Sequence, residues 1–137
     1  MTTEFRGTYP VRFAHCDPAG IGYYPRLLEI VDAAIEDWTA ACIGVTRSHM
    51  HVVLGFALPT VDLHVTFARP CRLGETLDIV IAGADPGRSS IGLTATISCA
   101  GEPRFAATYV QVLTDGDGKA MAWPEQWRAR LGSGTIA

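Results

Sequence analysis

The fold is decided by the stretch PRLLEIVDAAIEDWTAACIG, which occupies residues 25–44. Its apolar side chains recur every three or four positions, a spacing that places them on one side of an α-helix. They are Leu27, Val31, Ala34, Trp38 and Ala41. Pro25 suits the first turn of a helix, where its missing N–H loses no bond, and Gly44 suits the end. Further apolar residues widen the stripe, so we expect other elements to cover most of this helix.

Alternation of apolar and polar residues predicts strands on both sides of the helix. Residues 8–13 predict a short strand before it, and Pro10 indicates a position at the edge of the sheet. Four further runs follow the helix, at residues 61–67, 77–81, 91–97 and 105–113. The first of these alternates clearly enough to predict one buried and one exposed face. Residues 124–131 predict a short final helix.

Turn residues separate the four later runs, so the connections are short and the strands are expected to pair antiparallel. One strand, one long helix and then four or five strands predict an α+β fold, in which an antiparallel sheet wraps around one long central helix. The chain has 137 residues and no internal repeat or low-complexity tract. We therefore expect residues 1–137 to form a single domain.

The charge balance excludes two kinds of partner. The chain has 11 Lys and Arg residues against 14 Asp and Glu residues, a formal net charge of −3. No basic cluster is present to neutralise phosphates, so nucleic acid is not an expected partner. Four acids interrupt the apolar helix, which argues against a membrane span. They are Glu29, Asp32, Glu36 and Asp37.

The cysteines indicate the compartment. They lie at positions 16, 42, 71 and 99, with no Cys-x-x-Cys pair and no histidine spacing typical of zinc ligands. We expect neither a disulfide framework nor a metal site, and no cofactor. The first residues lack the apolar run of a signal peptide. Together these observations predict a cytoplasmic location.

The loop before the helix, FAHCDPAGIGYYP at residues 13–25, is the densest in chemical information. Asp17 precedes a proline, which keeps its backbone extended, and Gly20 and Gly22 allow a ligand close to the main chain. The helix that follows begins with N–H groups that lack intrahelical partners. A carboxylate held there can attack a carbonyl carbon or activate water, while the free N–H groups hold the developing negative oxygen. The alternative is that Asp17 only caps a turn.

Two parts of the sequence resemble a known family. CDPAGI at residues 16–21, with Tyr24 and Pro25 after it, closely resembles the 4-hydroxybenzoyl-CoA thioesterase family of hotdog-fold proteins. FARP at residues 67–70, followed by GETL at residues 74–77, resembles the wider superfamily. The resemblance implies a hotdog fold, a homodimer in which two sheets join, and often a homotetramer built as a dimer of dimers. It also implies hydrolysis of an acyl-CoA thioester at a site between two subunits.

The same resemblance implies catalytic roles for three residues of the loop. Asp17 would be the catalytic carboxylate, acting as nucleophile or as general base. The backbone N–H of Tyr24, at the start of the helix, would polarise the thioester carbonyl. Gly20 would support the loop shape on which both of these groups depend.

Substrate contacts are implied as well. Asp32 matches a helix acid that, in family members acting on aryl-CoA, lies near the acyl ring of the neighbouring subunit's substrate. Arg88, Ser89 and Ser90 fall on a turn that in relatives touches the CoA phosphates and the pantetheine arm. Only one arginine stands here, where relatives often have several basic residues. Tyr23 either lines the acyl pocket or has a packing role.

Neighbouring polar residues admit plainer interpretations. His15 and Cys16 precede Asp17, but adjacent residues of an extended loop point in different directions, whereas catalytic triads are assembled from distant positions. We therefore interpret Cys16 as a small buried residue. His64 lies on the polar face of its strand, where it either lines the site or faces water.

The predicted function is hydrolysis of an acyl-CoA thioester to a free acid and CoA, with hydroxybenzoyl-CoA or benzoyl-CoA as the favoured kind of substrate. Two alternatives stay open. One is a thioesterase for aliphatic acyl-CoA or for acyl carrier protein. The other is a hotdog dimer that binds acyl-CoA without hydrolysing it, although a pure binder has no need of a carboxylate facing the thioester.

Overall fold

A computed structural model describes residues 3–132 of the chain. Its elements, in chain order, are β1 (Glu4–Pro10), a 3-10 turn (Phe13–His15), α1 (Tyr24–Trp38), two π-helical turns (Thr39–Ile43 and His49–Val53), β2 (Thr60–Phe67), β3 (Thr76–Gly83), β4 (Ser90–Cys99), β5 (Glu102–Val112) and α2 (Glu125–Gly132). This order of strands and helices confirms the predicted α+β class. The long helix continues through the first π-helical turn and ends at Gly44, and the short final helix is α2.

The five strands form one sheet in the order β1-β3-β4-β5-β2, and every neighbouring pair is antiparallel. Alternate residues of β3 and β4 are buried, as the sequence pattern predicts. Pro10 lies in β1, which is an edge strand. An edge tolerates the missing N–H of proline because no ladder bond is lost on the open side.

The apolar side of α1 packs into the same core as the sheet. Its buried residues follow the predicted spacing, and they are Leu27, Ile30, Val31, Ala34, Ile35 and Trp38. The indole N–H of Trp38 donates a 2.6 Å hydrogen bond to the carbonyl of Thr3, which satisfies its one polar atom inside the core. The four acids lie on the exposed side, so α1 is not covered around most of its circumference. Within residues 3–132, no helix is both long enough and apolar enough to cross a bilayer.

The first strand differs from its prediction. It spans Glu4–Pro10, whereas the sequence pattern predicts residues 8–13. Beyond the strand, the N–H of Arg12 donates to Nδ1 of His15 (2.9 Å), and the N–H of His15 donates to the carbonyl of Arg12 (2.9 Å). These reciprocal bonds form a 3-10 turn and leave Phe13 82% exposed. The apolar alternation therefore runs past the true end of the strand.

The predicted buried face of β2 is also wrong for this chain. Val61, Leu63 and Phe67 are exposed by 61%, 44% and 46%. The reason is the position of the strand, because β2 is the second edge of the sheet and pairs only with β5. An exposed apolar edge strand is a surface on which another chain can pair.

The strand register defines two ends of the sheet. At the first, here named the loop end, Phe67 pairs with Phe105, β1 ends and β3 begins. The loop before α1 and the segment between β2 and β3 project from this end. At the other, here named the far end, Thr60 pairs with Gln111. The connection from β3 to β4 lies at the far end.

Candidate active site

Asp17 and the four residues after it close into a tight turn at the loop end. The N–H of Asp17 donates to the carbonyl of Ile21 (2.8 Å), and the N–H of Gly20 donates to the carbonyl of Asp17 (3.0 Å). Gly20 has a φ of 77°, a left-handed conformation that costs other residues about 1–2 kcal/mol. The space beside it is open, since no heavy atom lies within 4 Å of where a Cβ would be. Backbone conformation, and not crowding, therefore requires glycine here.

The side chain of Asp17 fixes this turn from within. Its Oδ1 accepts hydrogen bonds from the N–H groups of Ala19 (2.9 Å) and Ile21 (3.1 Å). Asp17 therefore caps this turn, as the alternative interpretation of the sequence predicts. Oδ2 has no hydrogen-bond partner among residues 3–132, and the side chain is exposed. One oxygen holds the carboxylate in place while the other is available to a ligand.

One unpaired backbone donor stands at the start of α1. Tyr23 precedes the helix without a side-chain cap, and its carbonyl accepts from the N–H groups of Arg26 (2.9 Å) and Leu27 (3.0 Å). Pro25 has no N–H. The N–H of Tyr24 is left without a partner in the described part of the chain, so the several free donors expected from the sequence reduce to one. This donor lies at the positive end of the helix dipole.

A cavity of about 300 Å³ is lined in part by Tyr24. Its walls come from the turn, from the start of α1 and from the segment after β2, and they are Ile21, Gly22, Tyr24, Leu27, Phe67, Ala68, Arg69, Pro70 and Cys71. Glycine at position 22 leaves the space that a Cβ, 2.7 Å from Cδ2 of Leu27, would take. The lining is mostly apolar, which suits the body of an acyl or pantetheine chain.

Two predicted site residues border this cavity without lining it. Asp17 is connected to the wall through its hydrogen bonds to Ile21. Tyr23 is exposed, and its ring packs edge-to-face on that of Tyr24, with the ring centroids 5.6 Å apart. A role for Tyr23 in the acyl pocket therefore stays a prediction.

The wall at residues 70–72 is braced by an ion pair. Arg104 is 8% exposed and donates through Nη1 and Nη2 to the two carboxylate oxygens of Glu75, at 2.6 and 2.8 Å. Nη1 also donates to the carbonyl of Pro70 (2.9 Å), and Glu75 accepts from the N–H of Arg72 (2.6 Å). The hydrogen bonds from Arg104 are the main cause that lowers the pKa of Glu75 to about 2. Ionised Glu75 therefore holds the cavity wall in place.

The polar residues beside Asp17 are engaged elsewhere. Nδ1 of His15 accepts from the N–H of Arg12, and Sγ of Cys16 lies 3.5 Å from the carbonyl oxygen of Arg12. Neither bonds to Asp17, so the described chain has no Cys-His-Asp triad. His64 is exposed. Nor do any three His, Cys, Asp or Glu side chains in residues 3–132 lie where they could hold a metal ion.

A second cavity, here named the polar pocket, lies at the far end of the sheet. It measures about 300 Å³ and is lined by Asp32, Ile35, Glu36, Arg47, Leu58, Thr60 and Gln111. Arg47 donates through Nη2 to Oε1 of Gln111 (3.3 Å) and through Nε to Oγ1 of Thr39 (3.2 Å). Gln111 in turn donates through Nε2 to Oγ1 of Thr60 (3.2 Å). Hydrogen bonds thus connect three residues of the pocket lining, Arg47, Gln111 and Thr60.

Burial governs the electrostatics of the polar pocket. Partial burial of its carboxyl group raises the pKa of Asp32, while the charge of Arg47 lowers it. Burial lowers the pKa of Arg47, and the charges of Glu36 and Asp32 raise it. Burial also raises the pKa of Tyr109, and the charge of Asp32 raises it further. The buried hydroxyl of Tyr109 has no hydrogen-bond partner in the described residues.

Sequence reasoning missed Arg47, Thr60 and Gln111. A signal was present for Gln111, because it stands between Tyr109 and Leu113 on the inward face of β5 and its neighbours there are core residues. A polar side chain at an inward strand position needs a partner or a ligand. Arg47 and Thr60 carry no such signal, since they meet only in the folded chain.

Arg88, Ser89 and Ser90 lie at the far end and not beside Asp17. Trp123 donates its backbone N–H to the carbonyl of Arg88 (3.0 Å) and its indole N–H to that of Ser90 (3.1 Å). The 8 residues of β3 separate this turn from the loop end, about 25 Å at the usual rise per residue. Within one chain, neither this turn nor the polar pocket lies beside Asp17, and the predicted contacts of these residues with a substrate stay predictions.

Comparisons with known proteins match this architecture. Residues 11–131 match the family model of the thioesterase-like superfamily. A 1,4-dihydroxy-2-naphthoyl-CoA hydrolase from Thermosynechococcus vestitus is 32% identical over 104 residues, which cover 74% of this chain and 68% of that protein.

Among the solved structures that share the fold are two thioesterases. A 1,4-dihydroxy-2-naphthoyl-CoA thioesterase from Synechocystis superposes with a TM-score of 0.83 at 22% identity, over 93% of this chain and 95% of that chain. The 4-hydroxybenzoyl-CoA thioesterase from Pseudomonas sp. strain CBS-3 has the same TM-score of 0.83 at 22% identity, over 93% of this chain and 98% of that chain. The chain therefore belongs to the thioesterase-like superfamily, which confirms the predicted hotdog fold and the predicted class of enzyme, a thioester hydrolase.

Proposed function

We propose that this protein hydrolyses an acyl-CoA thioester to a free acid and CoA, with Asp17 as the catalytic carboxylate and the N–H of Tyr24 as the donor to the carbonyl oxygen. One observation carries the proposal. Asp17 has one oxygen fixed by two backbone N–H groups and the other unbonded, in a turn that borders a cavity lined by Tyr24, the residue whose N–H is unpaired. Gly20 allows the backbone conformation of this turn. Asp17 can therefore cap the turn through Oδ1 and still offer Oδ2 to a substrate.

The chemistry required of these groups is modest, because a thioester carbonyl is already electrophilic. A preorganised backbone donor at the oxyanion contributes about 2.7–4 kcal/mol in other enzymes. As a general base, Asp17 takes a proton from water, the hydroxide attacks the carbonyl, and the proton passes to the departing CoA thiolate. As a nucleophile, Asp17 forms a mixed anhydride while the thiolate leaves, and water then hydrolyses the anhydride.

A second copy of the chain would complete the site. β2 has an unpaired outer edge and exposed apolar side chains, which are features of a strand that pairs with another chain. Antiparallel pairing of two β2 strands places Thr60 of one copy beside Phe67 of the other. The far end of one copy, with its polar pocket and its turn at residues 88–90, then lies beside the loop end of the other. Assembly into a homotetramer and a cytoplasmic location stay predictions.

The favoured substrate is an aryl-CoA. The relatives compared above are named for aromatic acyl groups, naphthoyl in two and hydroxybenzoyl in the third. The rings of Tyr24 and Phe67 in the cavity wall suit a flat acyl group. An aliphatic acyl-CoA or an acyl carrier protein is the alternative that the experiment must separate.

The experiment is thiol release from benzoyl, 4-hydroxybenzoyl, phenylacetyl and acetyl thioesters of CoA, with benzoyl on acyl carrier protein for comparison. We expect the highest kcat/KM with the aryl-CoA substrates. Asp17→Asn keeps the turn, because the amide oxygen still accepts from Ala19 and Ile21, and we expect kcat to fall about 10²–10⁴-fold. No thiol release from any of these thioesters, or near wild-type kcat in folded Asp17→Asn, would refute the proposal.

Single-turnover hydrolysis in ¹⁸O-water separates the two roles of Asp17. Label that appears first in the Asp17 carboxylate indicates the anhydride, because water then attacks a covalent intermediate. Label that appears only in the released acid, with no adduct on Asp17 that hydroxylamine traps, indicates a general base. Mass spectrometry of the protein after one turnover makes the measurement.

A further inference from the structure

Arg104 in β5 holds part of the cavity wall through both its backbone and its side chain. Its carbonyl accepts hydrogen bonds from the N–H groups of Ala68 (2.8 Å) and Arg69 (3.0 Å). Its guanidinium donates through Nη1 to the carbonyl of Pro70 (2.9 Å). These three residues belong to the FARP segment at residues 67–70, and all of them line the cavity. One residue of β5 therefore fixes this part of the wall.

The same guanidinium bonds to Glu75, the acid of the GETL segment at residues 74–77. Nη1 and Nη2 of Arg104 donate to the two carboxylate oxygens of Glu75, at 2.6 and 2.8 Å. Oε1 of Glu75 also accepts from the N–H of Arg72 (2.6 Å), and its backbone carbonyl accepts from the N–H of Val11 (2.8 Å). Glu75 thus connects Arg104 both to the segment before β3 and to the chain that leads from β1 into the active-site loop.

The turn at residues 17–21 is bonded to this supported segment on two sides. The N–H of Leu73 donates to the carbonyl of Gly20 (2.9 Å), and the N–H of Gly22 donates to the carbonyl of Cys71 (2.7 Å). Both bonds join main-chain groups, so a shift of the segment moves the turn that carries the catalytic carboxylate. A misplacement of about 1 Å at a reacting group can lower a rate by about 10²-fold.

The planar guanidinium is the part of Arg104 that another cation cannot replace. Its donors lie in one plane at fixed angles, so it can bond a carboxylate twice and a carbonyl once in defined directions. Lysine has one ammonium on a flexible stem and cannot keep all three directions. Glu102 supplies a second, more exposed carboxylate, 2.9 Å from Nε. A buried ion pair adds little net stability compared with apolar side chains of similar volume, so directionality is what Arg104 and Glu75 contribute.

We infer that Arg104 and Glu75 are positioning residues for the hydrolysis, which hold Asp17 in its catalytic position through the backbone of residues 70–73. Neither side chain lines the cavity, so both act through the main chain and not on the substrate. The inference rests on the proposed function, because the group that is positioned is the carboxylate of Asp17. Substitution of either residue should therefore lower kcat only while that carboxylate is present.

A double-mutant cycle tests this dependence. Arg104→Lys and Glu75→Gln are each made in the wild type and in Asp17→Asn, and kcat is measured by thiol release from the aryl-CoA of the panel above that is hydrolysed fastest. All measurements are made at a temperature at which circular dichroism shows every variant folded. We expect each substitution to lower kcat about 10²-fold in the wild type. In Asp17→Asn each should leave the residual kcat nearly unchanged, because the positioned group has already lost its function.

Matched controls separate positioning from loss of stability. Ile81→Ala truncates a fully buried side chain in the half of β3 towards the far end, so it should lower the melting temperature and keep kcat. Arg6→Lys and Glu4→Gln make the same chemical changes at an exposed ion pair and should keep both. A loss of kcat in Ile81→Ala as large as that in the test variants would overturn the inference.

The remaining outcomes are also decisive. Near wild-type kcat in folded Arg104→Lys and Glu75→Gln overturns the inference, and Glu75→Gln decides if Arg104→Lys does not fold. An equal loss of kcat in the wild type and in Asp17→Asn overturns it as well, because the ion pair then acts without the carboxylate. If Asp17→Asn loses kcat and the other two variants do not, only the inference fails. Near wild-type kcat in Asp17→Asn itself overturns the proposed function.

Discussion

Residues 17–21 and residues 115–119 form the same turn in two settings. In each, the N–H of the leading aspartate donates to the carbonyl of the fifth residue (2.8 Å), and its carbonyl accepts from the fourth (3.0 Å). Oδ1 accepts from the third and fifth N–H groups, at 2.9 and 3.1 Å for Asp17 and at 2.9 and 3.0 Å for Asp115. The fourth residue is a glycine in both, with φ of 77° and 80°.

The surroundings of the two turns differ. The turn at residues 17–21 leads within three residues to the unpaired N–H of Tyr24 and borders a cavity. The turn at residues 115–119 follows β5 at the far end, and α2 begins only at Glu125. An aspartate that locks a turn is therefore a structural device in its own right. The chemistry proposed for Asp17 depends on the N–H of Tyr24 and on the cavity beside the turn.

Replacing each aspartate by alanine tests most directly whether the two turns differ in function. Asp17→Ala and Asp115→Ala each remove the acceptor of two backbone N–H groups, so each should lower the free energy of unfolding by about 1 kcal/mol. Only Asp17→Ala should also lower kcat, by about 10²–10⁴-fold, because only Asp17 is proposed as the catalytic carboxylate. Denaturant titrations and thiol-release kinetics on the same preparations make the measurement. Equal losses of kcat in the two variants would show that the turn matters and the carboxylate does not.

The support of the first turn offers a second contrast. The N–H of Leu73 donates to the carbonyl of Gly20 (2.9 Å), which ties the turn at residues 17–21 to the segment that Glu75 and Arg104 hold. Glu75→Gln leaves the buried Arg104 with only the more exposed Glu102 as a charged partner, so we expect a loss of about 3 kcal/mol in the free energy of unfolding. Hydrogen exchange should quicken at residues 17–21 and stay unchanged at residues 115–119.

The loss of stability caused by Glu75→Gln should become smaller at acid pH. The pKa of Glu75 is lowered from 4.5 to about 2 in the folded chain. Ionised Glu75 therefore stabilises the folded state above pH 4.5, and this contribution is lost as the pH falls towards 2. The difference in stability between wild type and Glu75→Gln should be full at pH 7 and smaller at pH 3. A difference that stays constant with pH would contradict the assignment, and Glu29→Gln, at the exposed ion pair with Arg26, is the control.

The smallest expected effects concern the glycines of the two turns. Gly20→Ala and Gly118→Ala each place a Cβ in open space at a positive φ, so each should cost about 1–2 kcal/mol of stability from backbone strain alone. Only Gly20→Ala should also lower kcat/KM, since its turn carries Ile21 into the cavity wall. Thermal unfolding and kinetics check both values. A loss of activity in Gly118→Ala of the same size would count against a local role for Gly20.

The sequence was sufficient for elements whose burial is a local property. The helix α1 and the strands β3 and β4 show periodicity that matches their buried faces, because each packs against the core along its whole length. It failed for β2, where the alternation is clear but the strand order leaves the apolar residues exposed. The strand β1 ends at Pro10, before the predicted end at residue 13, because hydrogen bonds between Arg12 and His15 close a turn. Hydrophobic periodicity carries no information about such bonds.

The same distinction holds for the candidate site. Asp17 and Gly20 could be singled out because they belong to one continuous loop whose residue types have direct conformational consequences, while the N–H of Tyr24 was assigned by resemblance. Arg47 and Gln111 could not be joined from the sequence, since 64 positions separate them. The turn at residues 88–90 was assigned by resemblance, and the register then placed it at the opposite end of the sheet.

By itself the sequence determined the shape of the turn and the start of the helix. Asp17 supplies an acceptor within reach of nearby N–H groups, Gly20 allows a positive φ, and Pro25 removes a donor from the first turn. These are consequences of covalent geometry and of bonds between neighbours. Only the tertiary structure decided that this turn borders a cavity and that the similar turn at residues 115–119 lies at the far end. Strand order and packing between distant residues depend on the whole chain and cannot be inferred from one segment.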